Sequence, residues 1–283
     1  PQAVFQDSLT STLYPGNPVF RTMTVDEVKS VNYDRALELG KQLFGNAKDY
    51  TFFFVGNFDE AKILPLIEQY IASLPNNGKK FKNVETLPVK GEVINKFTKA
   101  MENPQDVAVE IWCSEAPYTL RNSVLADIAA RVINMDYNRN IREKLSAAYY
   151  AGADAMESVK LDGKTMRVGV TGNAMMNPDK SKDAIPYFYS GLKDAMEQPN
   201  LDDLQKVKEI LLKQADVSCK QNGYWMGVIS EYLLHGIDTH TNYKKEVSSV
   251  DAKAVSDFLK NVVMKDGNHV EVIMHATKAG EAK

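Results

Sequence analysis

Near each end of this chain the same succession of elements is written. Thr24-Val25-Asp26-Glu27 puts a threonine N-cap three residues before a glutamate, the reciprocal capping pair that opens a helix. Val28, Val31, Ala36, Leu39, Leu43 and Phe44 continue an apolar face with a break near Asn32, and Gly45-Asn46 stops it. The unbroken apolar run from Tyr50 to Val55 then reads as a strand covered on both faces. Ser249-Val250-Asp251 opens a second such helix, with Val255, Phe258, Leu259 and Val262, and Gly267-Asn268 leads into the apolar strand Val270 to Met274. A helix-strand closing unit written twice implies two related domains. The second copy has a full set of elements before it and the first does not. The chain is therefore expected to begin inside a domain whose front half lies elsewhere.

Between the two copies, Gly56-Asn57-Phe58-Asp59 turns into a helix marked by Ile63, Leu64, Ile67, Tyr70 and Ile71, where Pro65 predicts a late start or a bend. Leu74-Pro75-Asn76-Asn77-Gly78 ends that unit, and residues 76 to 92 are rich in Lys, Asn, Pro and Gly. The expected division is 1–85 for a partial first unit, 86–92 for a linker and 93–283 for a complete second unit. Residues 1–20 offer only a turn at Pro15-Gly16-Asn17-Pro18.

In the second unit, Val107, Val109, Ile111 and Cys113 alternate with polar or mixed neighbours as in a half-buried strand. Pro117-Tyr118 leads into a long helix with Val124, Leu125, Ile128, Ala129, Val132 and Ile133 on its apolar face. Ala148 to Met156 and Thr165 to Thr171 form a hairpin across Lys160-Leu161-Asp162-Gly163, with Met166, Val168 and Val170 toward the core. Three helical segments follow, centred on Phe188, Val207 and Val228.

The net charge of -3 removes the basic footprint of a nucleic-acid or anionic-membrane binder. No apolar run reaches the roughly 20 residues a bilayer span requires. Cys113 and Cys219, one in a strand pattern and one in a helix, read as buried small hydrophobes and supply no disulfide framework. The opening P-Q-A-V-F-Q-D is neither a signal peptide nor an initiator methionine, as in an excised piece.

The stretch from Asn140 to Gly152 joins the end of the long helix to the next strand. It places Arg142 near the helix end and Tyr149 at the strand start. Arginine offers a fixed fork of five N–H donors and tyrosine one O–H on a rigid ring, so the two could hold a carbonyl or a developing oxyanion. An arginine at a helix C-terminus and a tyrosine at a strand edge are also favoured without any such role.

The residues F-F-F-V-G-N-F-D, followed by a helix and S-L-P, resemble a domain-closing signature of the pitrilysin/insulinase family of zinc metallopeptidases, the inverzincins. R-E-K-L-S-A-A-Y resembles the R-E-x-L-G-x-x-Y signature of that family's carboxy-terminal half. The resemblance implies an α+β fold of two-layer sheet-and-helix domains, four in the whole enzyme, arranged as two halves around a chamber. Residues 1–85 would be the closing half of the third domain and 93–283 the complete, substrate-contacting fourth. It implies a zinc endopeptidase of peptides or small unfolded proteins, with zinc bound outside this chain on an H-x-x-E-H helix of the amino-terminal half. That half, in the same chain or a partner subunit, and a peptide substrate are the implied partners. Carried over residue by residue, Arg142 and Tyr149 contact the substrate carbonyl or oxyanion and are neither nucleophile nor base. Ser146 stands where the family has glycine, and Tyr150 is a second candidate ring. Bacterial relatives suggest a periplasmic location.

No cofactor or metal site is expected within the chain. His235, His240, His269 and His275 form no H-x-x-E-H motif, and the five-residue gap between the first two does not suit paired helical ligands. The bland assignments are packing for Trp112 and Trp225, core or loop for Met166, Met175, Met176 and Met196, and a helix end for Asn222-Gly223. Lys206, Lys208, Lys213 and Lys220 read as a solvated helix face. Two rivals to the enzyme reading are a catalytically inactive scaffold of the same fold and an unrelated α+β domain.

Overall fold

The computed structural model describes residues 1–76 and 81–278; the expected turn residues Asn77 and Gly78 fall outside them. Helix α1 (Gln2–Leu13) forms where no helical pattern is expected. Helices α2 (Val25–Ser30) and α3 (Tyr33–Phe44) follow, with the capping box at Thr24 and Glu27 and the break at Val31-Asn32, where Asn32 caps the second helix. Helix α4 (Glu60–Tyr70) starts under the Asp59 cap and carries Pro65 inside it, so the late start is not seen.

The strand expected at Tyr50 to Val55 does not form: residues 51–55 have no regular structure. A strand exists only through its ladder partners, and no strand among the described residues pairs with this segment. Phe52 and Phe54 are each more than two-fifths exposed as a result.

The five strands between Glu92 and Lys278 form one mixed sheet. Strands β1 (Glu92–Met101) and β2 (Asp106–Pro117) precede α5 (Leu120–Tyr137), and β3 (Ala148–Val159) and β4 (Thr165–Met176) form the expected hairpin. Helices α6 (Pro178–Ala184), α7 (Pro186–Glu197), α8 (Leu201–Ser218), α9 (Asn222–His235), α10 (Tyr243–Ser249) and α11 (Ala252–Phe258) lead to β5 (Asn268–Lys278). The strand order is β1-β5-β2-β4-β3, with β1 parallel to β5 and every other pair antiparallel.

Helices α5, α7, α8, α10 and α11 pack together over one face. Strand β2 is buried on both faces rather than one, because α1 lies on the opposite face of the sheet. There Phe5 joins Val109, Ile111, Val272 and Met274 in a second apolar cluster. Residues 88 and 89, within the expected linker, are fastened as well. Val89 donates its N–H to the Leu13 carbonyl at 2.7 Å, and the fully buried Arg167 donates to the Pro88 carbonyl at 2.7 Å.

Candidate functional site

Helix α5 is capped by Thr119, whose hydroxyl accepts from the Asn122 N–H at 3.2 Å, and it buries Ile128 and Ile133 completely. Beyond Tyr137 the helix widens into a π turn over Asn138–Lys144. A π turn carries more residues per revolution than an α turn, so it re-aims the side chains that follow it. Ile141 stays fully buried as the anchor, and Arg142 is directed outward.

The chain then reverses through Ser146 at φ 49, the left-handed region. The serine thus adopts a conformation that favours glycine. Lys180, on α6, donates from Nζ to the carbonyls of Leu145 at 2.8 Å and Ser146 at 3.2 Å. Two main-chain bonds close the turn, from Ala147 N–H to Ile141 O at 3.0 Å and from Asn177 N–H to Ala147 O at 2.8 Å.

Tyr149 is the extra residue of a β-bulge. Ala148 pairs with Met176 and Tyr150 with Met175, so Tyr149 has no partner on β4. Bulges turn a side chain out of the alternation of its strand, and Tyr149 is 90% exposed. Tyr150 behaves differently. A Cβ on Gly152 would meet its hydroxyl oxygen at 2.7 Å, so this ring lies back along its own strand over a residue that must stay small.

Arg142 and Tyr149 line one cleft of about 560 Å³, together with Gln105, Ser146, Met175 and Asn177; Tyr150 is not in its wall. Among the described residues no carboxylate lines the cleft. Among the described residues neither Arg142 nor Tyr149 has a hydrogen-bond or ion-pair partner of its own. A guanidinium is donor-only and a phenol supplies one donor, so the cleft is equipped to meet a carbonyl or an anionic oxygen.

The histidines are engaged elsewhere. His235 ends α9 and meets the Tyr118 ring edge-on. His240 Nδ1 lies 2.7 Å from the Tyr224 hydroxyl. His269 Nε2 is 2.8 Å from Glu110 Oε2, and His275 Nδ1 is 2.8 Å from Asp106 Oδ2. Among the described residues no three His, Cys, Asp or Glu side chains come together as a metal site.

Several minor expectations are corrected by packing. Cys219 lies just past the end of α8 and is only partly buried, unlike Cys113. Asn222-Gly223 opens α9 instead of closing the helix before it. Lys208 is no solvated side chain: its ammonium binds the Ser248 and Val250 carbonyls at 2.9 and 2.6 Å. Met175 and the almost wholly buried Met176 both belong to the cleft wall, whereas Met166 is core. Lys180 and the bulge left no readable mark in the sequence beyond the doubled tyrosine and the serine at a glycine position.

Residues 30–211 match the peptidase M16 inactive domain. The chain is similar to a zinc protease PQQL-like protein of Arabidopsis thaliana, 22% identical over 239 residues that make up 80% of this chain and 25% of that protein. In structure it is similar to the periplasmic protease PqqL of Escherichia coli, with TM-score 0.77 and 17% identity over 98% of this chain and 31% of that one. A protease from Helicobacter pylori gives TM-score 0.74 and 15% identity, covering 97% of this chain and 67% of that one. The chain thus spans about a quarter of the Arabidopsis protein and under a third of PqqL.

Proposed function

The chain belongs to the peptidase M16 inactive-domain family, and we propose that it is the carboxy-terminal, non-zinc half of a zinc endopeptidase acting on peptides or small unfolded proteins. One observation carries this reading: Arg142 and Tyr149, from two abutting elements, open onto one cleft, with no competing partner among the described residues. In the parent enzyme they donate N–H and O–H to the carbonyl oxygen of the bound peptide, most strongly when negative charge develops on it. The zinc and its ligands belong to the amino-terminal half, in the same chain or in a partner subunit. This chain alone is expected to hydrolyse nothing.

The same reading divides the chain into the closing half of a third domain (1–85), a linker (86–92) and a complete fourth domain (93–283). Its support is the apolar surface of the first part, where Val25, Val28, Tyr33, Phe44, Phe52 and Phe54 are open to solvent. Such a surface is typical of an element whose covering partner lies elsewhere in the parent. Among the described residues no helix is long and apolar enough to cross a membrane. With a periplasmic protease among its structural neighbours, we place the parent in the bacterial periplasm.

The test is hydrolysis of a fluorogenic peptide by the whole parent protein and its Tyr149→Phe form at equal zinc content. Loss of one oxyanion donor should lower kcat by roughly a hundredfold. Unchanged turnover in an active parent would remove Tyr149 from the site. A parent that binds no zinc and cuts nothing would replace the enzyme by a scaffold.

A further inference from the structure

We infer that Lys180 is a positioning residue for the Arg142–Tyr149 cleft, holding the two donors in register through the main-chain turn between them. The inference rests on the proposed role of that pair and adds the element that fixes its geometry.

Three features between Arg142 and Tyr149 each have a less distorted alternative. The helix end is a π turn, Ser146 is left-handed, and Tyr149 is bulged out of its ladder. A helix end leaves its last carbonyls without intrahelical partners, and a non-glycine residue in the left-handed region relaxes when its neighbours permit. The segment therefore needs an external restraint to keep one shape.

Lys180 supplies it. Its ammonium reaches from α6 to two successive carbonyls, Leu145 O and Ser146 O, at the left-handed step itself. A cation bridging these carbonyls favours the conformation in which both point to one place. Helix α6 is in turn fixed to the sheet, because the Ser181 hydroxyl donates to the buried Asp106 at 2.6 Å. Asp106 also accepts the Ala276 N–H at 2.7 Å. The restraint thus runs from the central strands through α6 to the turn, and from the turn to Arg142 on one side and Tyr149 on the other. Lys180 does not line the cleft, so it acts through its neighbours and not on the substrate.

The experiment uses the whole zinc-loaded parent peptidase and a fluorogenic peptide, with Lys180→Met, Tyr149→Phe and the double variant. A misplacement of about 1 Å in a catalytic group can cost on the order of 10²-fold. Lys180→Met should lower kcat by about ten- to a hundredfold with KM and zinc content little changed, and Lys180→Arg should recover most of it. In the Tyr149→Phe background the same substitution should cost much less, because the group it positions is already disabled. If Lys180→Met melts early, Lys180→Gln takes its place, since the shorter amide cannot span both carbonyls. Full turnover in the lysine variants while Tyr149→Phe is impaired overturns the positioning role alone. Equal, additive losses in both backgrounds also overturn it. Full turnover in Tyr149→Phe overturns the reading of the site on which it rests.

Discussion

Glu110 and Glu271 sit directly opposite each other across β2 and β5, and both are almost wholly buried. Around them lie Lys96, whose ammonium is 2.6 Å from Glu271, the Tyr189 hydroxyl, which donates to Glu271 at 2.8 Å, and His269, bound to Glu110 at 2.8 Å. Trp112 stacks on the His269 ring, Glu92 lies 3.6 Å from its other nitrogen, and Tyr137 on α5 feels the Glu110 charge. Burial pushes the Glu110 carboxyl up to about 7, and the neighbouring Glu271 adds to the rise, against the opposing pull of His269. Burial disfavours charge on His269, yet its bond to Glu110 prevails and its pKa is raised.

These shifts set the sign of a pH effect. Between about 4.5, the ordinary value for Glu110, and about 7 the folded chain holds a proton that the unfolded chain has released. Stability therefore falls as pH rises through that window. His269 acts in the same direction, its contribution being complete below the ordinary 6.5 and lost through its raised folded pKa. For Glu110 the loss is on the order of 3 kcal/mol. Urea melts of the chain at pH 5 and pH 8 should show it, and Glu110→Gln, which cannot ionise, should flatten the difference. An unchanged difference in that variant would assign the effect to other groups.

Ser146→Gly should stabilise the chain. Serine at φ 49 bears a left-handed penalty that glycine lacks, while glycine gains freedom in the unfolded state. The net gain is about 0.5–1 kcal/mol. A rise in the urea midpoint with an unchanged slope is the expected record. A fall would mean that the serine side chain contributes more than its strain costs.

Arg142→Lys should separate catalysis from stability. Arg142 is exposed and has no partner among the described residues, so the melting free energy should move by no more than about 0.5 kcal/mol. Lysine keeps the charge and loses the planar fork, and kcat of the zinc-loaded parent should fall by roughly tenfold or more, as for a displaced transition-state donor. A change in stability with no change in kcat would place the arginine in the scaffold.

Phe5→Ala tests whether α1 belongs to the sheet. Phe5 is 7% exposed and packs into the second cluster, so truncation should cost about 3 kcal/mol. Hydrogen exchange should quicken at Val89, whose N–H is held by the Leu13 carbonyl of α1. Unaltered exchange there would detach the linker from the helix.

The sequence by itself determined what depends on near neighbours. The Thr24–Glu27 capping box, the stop at Gly45 and the Lys160–Gly163 hairpin involve residues within a few positions of one another. That Met166, Val168 and Val170 share the helix-covered face follows from the two-residue period of a strand. The same is true of the Arg142-to-Tyr149 stretch as a helix-to-strand junction. Only the tertiary structure decided what depends on distant partners. β1 lies parallel to β5, α1 covers the second face of β2, and Tyr50 to Val55 has no strand to pair with among the described residues. At the cleft, the choice of Tyr149 over Tyr150 turns on a one-residue bulge against β4, and the left-handed Ser146 turn is bound by a lysine 34 residues further along. A local pattern records the intrinsic preference of a segment, whereas ladder register and side-chain-to-carbonyl bonds are fixed by partners the segment does not encode.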